Sequence, residues 1–230
     1  MLVLLDIDGT LLASEGTGAR GIVQAGSELF GESFSLDGIP LGGRLDPLIF
    51  GEAMEAIGRT DHREHHDAFR KRYLEVFAEL IEIGHDMRIL PGVSELLGRM
   101  HAHPEITMAL VTGNYRESAH MKLAAAGIDP ELFVGGAFGD EGDIRDDLPP
   151  LAIERFRAAR GRAPRDVVLL GDTVHDVTSG RAAGCRVLAV CTGSHAPERL
   201  HASKPELVLD DLSDVEAVMA WILSKTGGDA

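Results

Sequence analysis

Short apolar runs alternate with helical patterns along most of the 230 residues. The run at 1–5 carries no polar side chain and is typical of a strand buried on both faces of a sheet. Further runs lie at 107–111, 167–170, 186–190 and 207–209. Helical patterns lie at 93–100, 116–126, 151–160, 177–183 and 214–223. This alternation predicts βα units that wind a parallel sheet, which is an α/β fold.

One stretch, residues 14–84, breaks the alternation. It contains no convincing strand pattern and shows helical patterns at 22–30, 46–57 and 61–83. We therefore expect a helical insertion at 14–84 in a core formed by residues 1–13 and 85–230. One core with one insertion also accounts for a length above the roughly 100–150 residues of an ordinary domain.

Charge and composition narrow the classes of partner. The chain has 37 Asp and Glu against 22 Lys and Arg, a net charge of −15, which argues against binding of nucleic acid or of an anionic membrane. It has no apolar run near the roughly 20 residues of a membrane span, no signal-peptide pattern and only two cysteines. We expect a cytoplasmic protein, and the sequence carries no indication of its oligomeric state.

Two acids follow the first apolar run directly. Asp6 and Asp8 are two residues apart, and Gly9 allows the backbone to turn after them. Ligands of open α/β sheets bind at the carboxyl ends of the strands. Two carboxylates at such an end are costly to desolvate unless a cation or a proton offsets them.

A second pair of acids repeats this pattern after the run at 167–170. Asp172 follows Gly171, and Asp176 lies four residues further on, where a helix begins. Two acidic strand ends in one sheet predict carboxylates that converge on a hard divalent cation, and oxygen ligands favour Mg²⁺.

A third polar segment, Thr112-Gly113-Asn114, joins the run at 107–111 to the next helix. A hydroxyl and free backbone N–H groups at a helix N-terminus form a small anion site. Beside two acidic strand ends, this segment predicts a cradle for phosphate.

These three motifs, in this order, resemble those of the haloacid dehalogenase-like superfamily of phosphohydrolases, and in particular its phosphoglycolate phosphatase-like branch. The resemblance extends over nearly the whole chain and includes the Leu-Pro-Gly segment at 90–92 and Arg-Ala-Ala-Gly at 181–184. It implies a Rossmannoid three-layer core with a parallel sheet and a small all-helical cap inserted after the first strand.

The resemblance also implies a role for each motif. Asp6 would be the nucleophile that forms an aspartyl-phosphate, and Asp8 the general acid and then the general base. Mg²⁺ would be held by Asp6, the backbone carbonyl of Asp8 and Asp172, with Asp176 as a further ligand or an acid behind the ligands. The phosphoryl oxygens would be held by Thr112 and by the N–H groups of Gly113 and Asn114. The presence of an acid at position 8 favours phosphatase or phosphomutase chemistry over dehalogenation.

The family also has a Lys or Arg that neutralises the nucleophile and the phosphate. Arg145, the one base in the acidic run 139–150, is our prediction for this role. The alternatives are Lys122, and a solvated loop in which Arg145 pairs with its neighbours. In the insertion, Arg44 either contacts the leaving group of the substrate or forms a salt bridge with Asp46.

Two further patterns favour structural explanations. The Gly16-x-Gly18-x-x-Gly21 pattern does not follow a strand directly, so we predict a flexible hinge rather than a dinucleotide site. The three histidines at 62, 65 and 66 share a helical face, which we expect to be a solvated surface.

The sequence thus predicts a Mg²⁺-dependent phosphatase that hydrolyses a small phosphorylated metabolite through an aspartyl-phosphate. A sugar phosphomutase of the same superfamily is the first alternative. A non-catalytic phospho-acceptor module resembling a response-regulator receiver is the second.

Overall fold

The computed structural model describes residues 1–224 of the chain. Its strands are β1 (Leu2–Leu5), β2 (Leu12–Ala13), β3 (Arg88–Ile89), β4 (Thr107–Val111), β5 (Gly136–Ala137), β6 (Val167–Gly171), β7 (Arg186–Val190) and β8 (Leu207–Leu209). Its helices are α1 (Thr17–Phe30), α2 (Asp46–Ala56), α3 (His62–Ile83), α4 (Val93–Ala102), α5 (Arg116–Ala125), α6 (Leu148–Arg160), α7 (Val174–Ala182), α8 (Pro197–Ser203) and α9 (Val215–Leu223). Short 3₁₀ turns lie at Pro130–Leu132, Gly139–Glu141 and Arg145–Asp147.

Six strands form one parallel sheet in the order β5-β4-β1-β6-β7-β8. The first strand lies in the middle, where Leu5 is paired with Leu110 of β4 and with Leu170 of β6. The predicted α/β class and parallel sheet are therefore confirmed. Because these three strands end together, the polar residues that follow them meet at one edge of the sheet.

Helices cover both faces of the sheet, which explains the continuous apolar run of β1. Val3 and Leu5 face an apolar layer that includes side chains of α4, α5 and α9, whereas Leu2 and Leu4 face a layer with side chains of α6, α7 and α8. Successive side chains of a strand point to opposite faces, so each must be apolar when both faces are covered. This is the expected three-layer core.

The helices α1–α3 and their loops, which we call the cap, have an apolar cluster of their own. At its centre Phe50 of α2 stacks on Phe69 of α3 with ring centroids 3.9 Å apart. Tyr115, which precedes α5, also packs into this cluster. Residues 14–84 are mainly helical as expected, and the domain boundaries drawn there remain a prediction.

Several elements differ from the predicted ones for local reasons. Helix α6 begins at Leu148 rather than 151, because two prolines are accommodated in its first turn. Helix α7 begins at Val174 because the Thr173 hydroxyl accepts the Asp176 N–H and caps it. The two-residue strands β2, β3 and β5 are too short to give a periodic pattern.

The predicted glycine hinge is wrong for two of its three glycines, since Gly18 and Gly21 lie within α1. A Cβ on Gly18 would lie 3.3 Å from Nζ of Lys122, and one on Gly21 would lie 3.1 Å from the ring of Tyr73. These glycines therefore allow close packing of the helix against its neighbours.

None of the helices in residues 1–224 combines the length and the apolar character that crossing a bilayer requires.

The aromatic stack of the cap leads to a stability prediction. Phe50→Ala removes a fully buried ring and is expected to lower the free energy of unfolding by about 3–5 kcal/mol. Leu48→Ala, on the same helix, truncates a side chain in a residue that is 38% exposed and serves as the matched control. Urea denaturation followed by circular dichroism measures both, and equal losses in the two variants would contradict this packing.

Candidate active site

A cavity of about 500 Å³ opens between the carboxyl edge of the sheet and the cap. Its core side includes the predicted acids and the turn after β4, and its cap side includes residues of α1 and α2. Side chains that approach the cavity from both sides are Asp6, Asp8, Thr112, Asp172, Arg44 and Asp46. The separate motifs of the sequence therefore line one cavity.

Arg145 lies beside Asp6 and is almost fully buried. Its Nη2 donates to Oδ1 of Asp6 at 2.9 Å, to Oδ1 of Asp176 at 2.6 Å and to the carbonyl oxygen of Val111 at 3.1 Å. The solvated-loop alternative for Arg145 is thus contradicted. A guanidinium in this position offsets the charge of two carboxylates at once.

Three carboxylates crowd together at this edge, with oxygens of Asp6, Asp172 and Asp176 within 4.8 Å of one another. Burial raises the pKa of Asp6 to about 7, against the opposing effect of Arg145. Burial and the neighbouring acids raise the pKa of Asp172 well above its usual range. One guanidinium against three buried acids leaves a deficit of positive charge, and these oxygen donors fit a divalent cation such as Mg²⁺.

Asp176 differs from the other two acids because both of its oxygens already have partners. Oδ1 accepts from Arg145, and Oδ2 accepts from the hydroxyl and the N–H of Thr173, at 2.6 and 3.0 Å. Of the two predicted roles, this geometry favours an acid that orients Arg145 from behind the metal ligands.

Asp8 has a different set of partners. Its Oδ2 accepts from Nζ of Lys122 at 2.6 Å and from the amide of Asn114 at 2.7 Å, and its Oδ1 accepts from the hydroxyl of Ser14 at 2.7 Å. Burial opposes ionisation, but these donors outweigh it and the pKa of Asp8 is lowered. The two acids that begin the first motif therefore have separate cations, Arg145 for Asp6 and Lys122 for Asp8.

The turn after β4 brings Thr112, Gly113 and Asn114 to the cavity wall. The Asn114 amide donates to Oγ1 of Thr112 at 2.8 Å as well as to Asp8, so its side chain links the turn to the acid. A Cβ on Gly113 would overlap the carbonyl oxygen of Arg44, which shows why a glycine is required there. The sequence had indicated the backbone N–H of Asn114 but not this side-chain contact.

Arg44 lines the cavity, and its ion-pair partner is Glu52 of α2. The alternative of a salt bridge with Asp46 is contradicted, because the carboxylate of Asp46 instead accepts the backbone N–H of Tyr115 at 3.1 Å. The histidine face that we expected to be solvated is only partly exposed. His62, His65 and His66 are half-buried, and Nε2 of His66 lies 3.1 Å from the hydroxyl of Tyr115.

Two glycines surround the carboxylate of Asp172. A Cβ on Gly9 would lie 2.5 Å from Oδ2 of Asp172, and one on Gly193 would overlap the same oxygen. The Thr10 hydroxyl donates to Oδ1 of Asp172 at 3.3 Å. Sequence reasoning missed Gly193, since it follows β7 without any distinguishing motif.

Comparison with known proteins agrees with this architecture. The sequence model of the family described as haloacid dehalogenase-like hydrolase matches residues 3–181, and the chain belongs to this family. It is 27% identical over 222 residues to the probable phosphatase IndB of Dickeya dadantii, covering 93% of this chain and 91% of that protein. It is 26% identical over 219 residues to the phosphoglycolate phosphatase of Photobacterium profundum, covering 93% of each chain.

Among solved structures, a hydrolase from Pseudomonas syringae superposes with a TM-score of 0.71. The match covers 96% of this chain and 99% of that one, at 19% sequence identity. It establishes the fold.

The packing around Asp172 yields a prediction for metal binding. Gly193→Ala would displace the Asp172 carboxylate, and we expect it to weaken Mg²⁺ binding by about 10- to 100-fold in isothermal titration calorimetry. Gly98→Ala is the matched control, because a Cβ at Gly98 meets no atom within 4 Å. Unchanged Mg²⁺ affinity in the Gly193 variant, or no Mg²⁺ binding by the unaltered protein, would contradict this site.

Proposed function

We propose that this hydrolase is a Mg²⁺-dependent phosphatase that cleaves a small phosphate monoester through an aspartyl-phosphate at Asp6. The observation that carries the proposal is the pairing of Asp6 with Arg145 and of Asp8 with Lys122 in one cavity that also contains the Thr112–Asn114 turn. The two relatives above are named as a probable phosphatase and as a phosphoglycolate phosphatase, which supports the same reaction.

In the first half-reaction, an oxygen of Asp6 attacks the phosphorus and the bond to the leaving oxygen breaks. A carboxylate needs no base to act as a nucleophile. Arg145 holds Oδ1 of Asp6, so Oδ2 is the oxygen we assign to the attack. Asp8 donates its proton to the leaving alcohol, and a bound phosphate dianion favours the protonated acid because it adds negative charge beside the carboxyl group.

In the second half-reaction, water attacks the phosphorus of the aspartyl-phosphate. The ionised Asp8 accepts the proton of this water, the bond between phosphorus and Asp6 breaks, and inorganic phosphate leaves. Lys122 and Asn114, which contact Oδ2 of Asp8, hold the carboxylate in place for both proton transfers. The cap covers the reaction and limits the access of bulk water.

Asp6, Asp172 and the backbone carbonyl of Asp8 would hold Mg²⁺. When bound, the ion stabilises the charge on the transferring phosphoryl oxygens. The N–H groups of Gly113 and Asn114 and the hydroxyl of Thr112 hold other phosphoryl oxygens. Together with Arg145 and Lys122, they reverse the negative field of a chain whose net charge is −15, which lets an anionic substrate bind.

The substrate class follows from the size of the cavity. About 500 Å³ is within the range of small-molecule sites, so we propose a small phosphorylated metabolite. Arg44 lines the cap side of the cavity and is ion-paired with Glu52, and we propose that it contacts the leaving group of the substrate.

The nucleophile is tested with p-nitrophenyl phosphate and Mg²⁺. Asp6→Asn removes the attacking oxygen and is expected to lower kcat by a factor of about 10³ or more. Asp210→Asn, an exposed acid after β8, is the control and should keep full activity. Activity of Asp6→Asn close to that of the unaltered enzyme would contradict the mechanism.

The same assay separates the alternatives. A phosphatase releases one inorganic phosphate for each nitrophenolate, whereas a phosphomutase returns the phosphoryl group to a sugar and needs a bisphosphate primer. A receiver-like module would instead hold phosphate stably on Asp6 with negligible turnover.

Arg145 is tested by truncation and by replacement with lysine. Arg145→Ala leaves buried acids without their cation and is expected to lower kcat/KM at least about 100-fold and the free energy of unfolding by about 3–5 kcal/mol. Arg145→Lys should retain part of both, since an ammonium keeps the charge but loses the planar fork. Arg157→Ala, on the exposed face of α6, is the control. Full activity of Arg145→Ala would remove Arg145 from the mechanism.

A further inference from the structure

Asp46, the first residue of α2, joins the cap to the turn after β4. Its backbone N–H donates to the carbonyl oxygen of Gly113 at 2.8 Å, and its Oδ2 accepts the backbone N–H of Tyr115 at 3.1 Å. Asp46 thus contacts residues on both sides of Asn114. The residue is buried, with 7% of its surface exposed.

The side chain of Tyr115 makes a second contact between the turn and the cap. Its ring leaves the core and packs in the apolar cluster of the cap, 5.9 Å from the ring of Tyr73. Its hydroxyl lies 3.1 Å from Nε2 of His66 on α3. The cap therefore holds the turn in two ways. Asp46 binds the backbone of the turn, and the Tyr115 side chain of the turn is bound within the cap.

The other side of this turn faces the reacting groups. Asn114 lies between the two residues that contact Asp46, and its amide donates to Asp8 at 2.7 Å and to Thr112 at 2.8 Å. Gly113 and Asn114 are also the residues whose N–H groups bind phosphate in the proposed function. A shift of the turn would displace the phosphate donors and the support of Asp8 together.

Burial of the Asp46 carboxyl group at this position costs free energy of folding, because it disfavours the ionised form. Burial raises the pKa of Asp46 to about 7, although Lys122 and the Tyr115 N–H oppose the shift. A residue that only needed to start a helix could be an exposed Ser or Asp at no such cost. The cost of burying this carboxylate is explained if its hydrogen bond to the Tyr115 N–H is needed to hold the turn.

We propose that Asp46 is a positioning residue, which holds the Thr112–Tyr115 turn in its phosphate-binding geometry when the cap is docked. The proposal rests on the proposed function, because it assigns the turn to phosphate binding. Asp46 acts through the turn and takes no part in bond making or proton transfer.

The test compares Asp46→Ala, which removes the acceptor, with Asp46→Asn, whose amide oxygen can still accept the Tyr115 N–H. With p-nitrophenyl phosphate, Asp46→Ala should lower kcat/KM by about 10- to 100-fold, with a higher KM because the phosphate donors are displaced and a lower kcat because the support of Asp8 is displaced with them. Asp46→Asn should restore kcat/KM to within about threefold of the unaltered enzyme, because the bond is retained. Glu55→Ala, an exposed acid on the same helix, is the matched control.

The division between KM and kcat separates positioning from a folding defect. Partial unfolding would lower kcat in proportion to the folded fraction and leave KM unchanged. A KM of Asp46→Ala equal to that of the unaltered enzyme, or equal losses in the Ala and Asn variants, would overturn the proposal.

Hydrogen–deuterium exchange of the whole chain gives a readout that does not depend on turnover. Asp46→Ala should speed exchange in peptides covering 112–119 and leave those of α9 unchanged, whereas Asp46→Asn should resemble the unaltered protein. If the unaltered protein fails to hydrolyse p-nitrophenyl phosphate, the proposed function fails. The link between Asp46 and the turn is then still decided by the exchange, and unchanged protection at 112–119 in Asp46→Ala would refute it.

Discussion

The site depends on the compensation of buried negative charge at one edge of the sheet. Asp6, Asp172 and Asp176 bring oxygens within 4.8 Å of one another, and the Arg145 guanidinium directly contacts two of the three carboxylates. Uncompensated buried charge is costly, so Arg145 both holds the edge together and fixes Asp6. Arg145 alone leaves a deficit of positive charge at this edge, and this deficit makes the edge suitable for a divalent cation.

A second ion pair lies where this edge meets the cap. Lys122 of α5 reaches Asp8 at 2.6 Å, and its Nζ lies close to Gly18 of α1, where any larger residue would crowd it. Asp46 of α2 holds the turn that carries Asn114. The cap is therefore more than a cover: two of its helices contact residues that support Asp8 and the phosphate-binding turn.

Much of the fold was predictable because its signals are local. The buried strands β1, β4, β6 and β7 are apolar runs, and the acids follow directly where two of these runs, β1 and β6, end. Strand pairing then brings Asp6, Thr112 and Asp172 together without further information. The short strands, the α1 glycines and the position of Gly193 beside Asp172 were not predictable, because each depends on contacts between residues far apart in sequence.

The sequence by itself determined the α/β class, the order of the motifs and the residues that line the carboxyl edge, since hydrophobic period and strand ends are properties of short segments. Only the tertiary structure decided which basic side chain pairs with which acid. Arg145 and Lys122 were alternatives for one role, yet both are present, one beside Asp6 and the other beside Asp8. Arg44 pairs with Glu52, which leaves Asp46 to bind the turn. The physical reason is that ion pairs depend on distance in space and on burial, and spacing along the chain specifies neither.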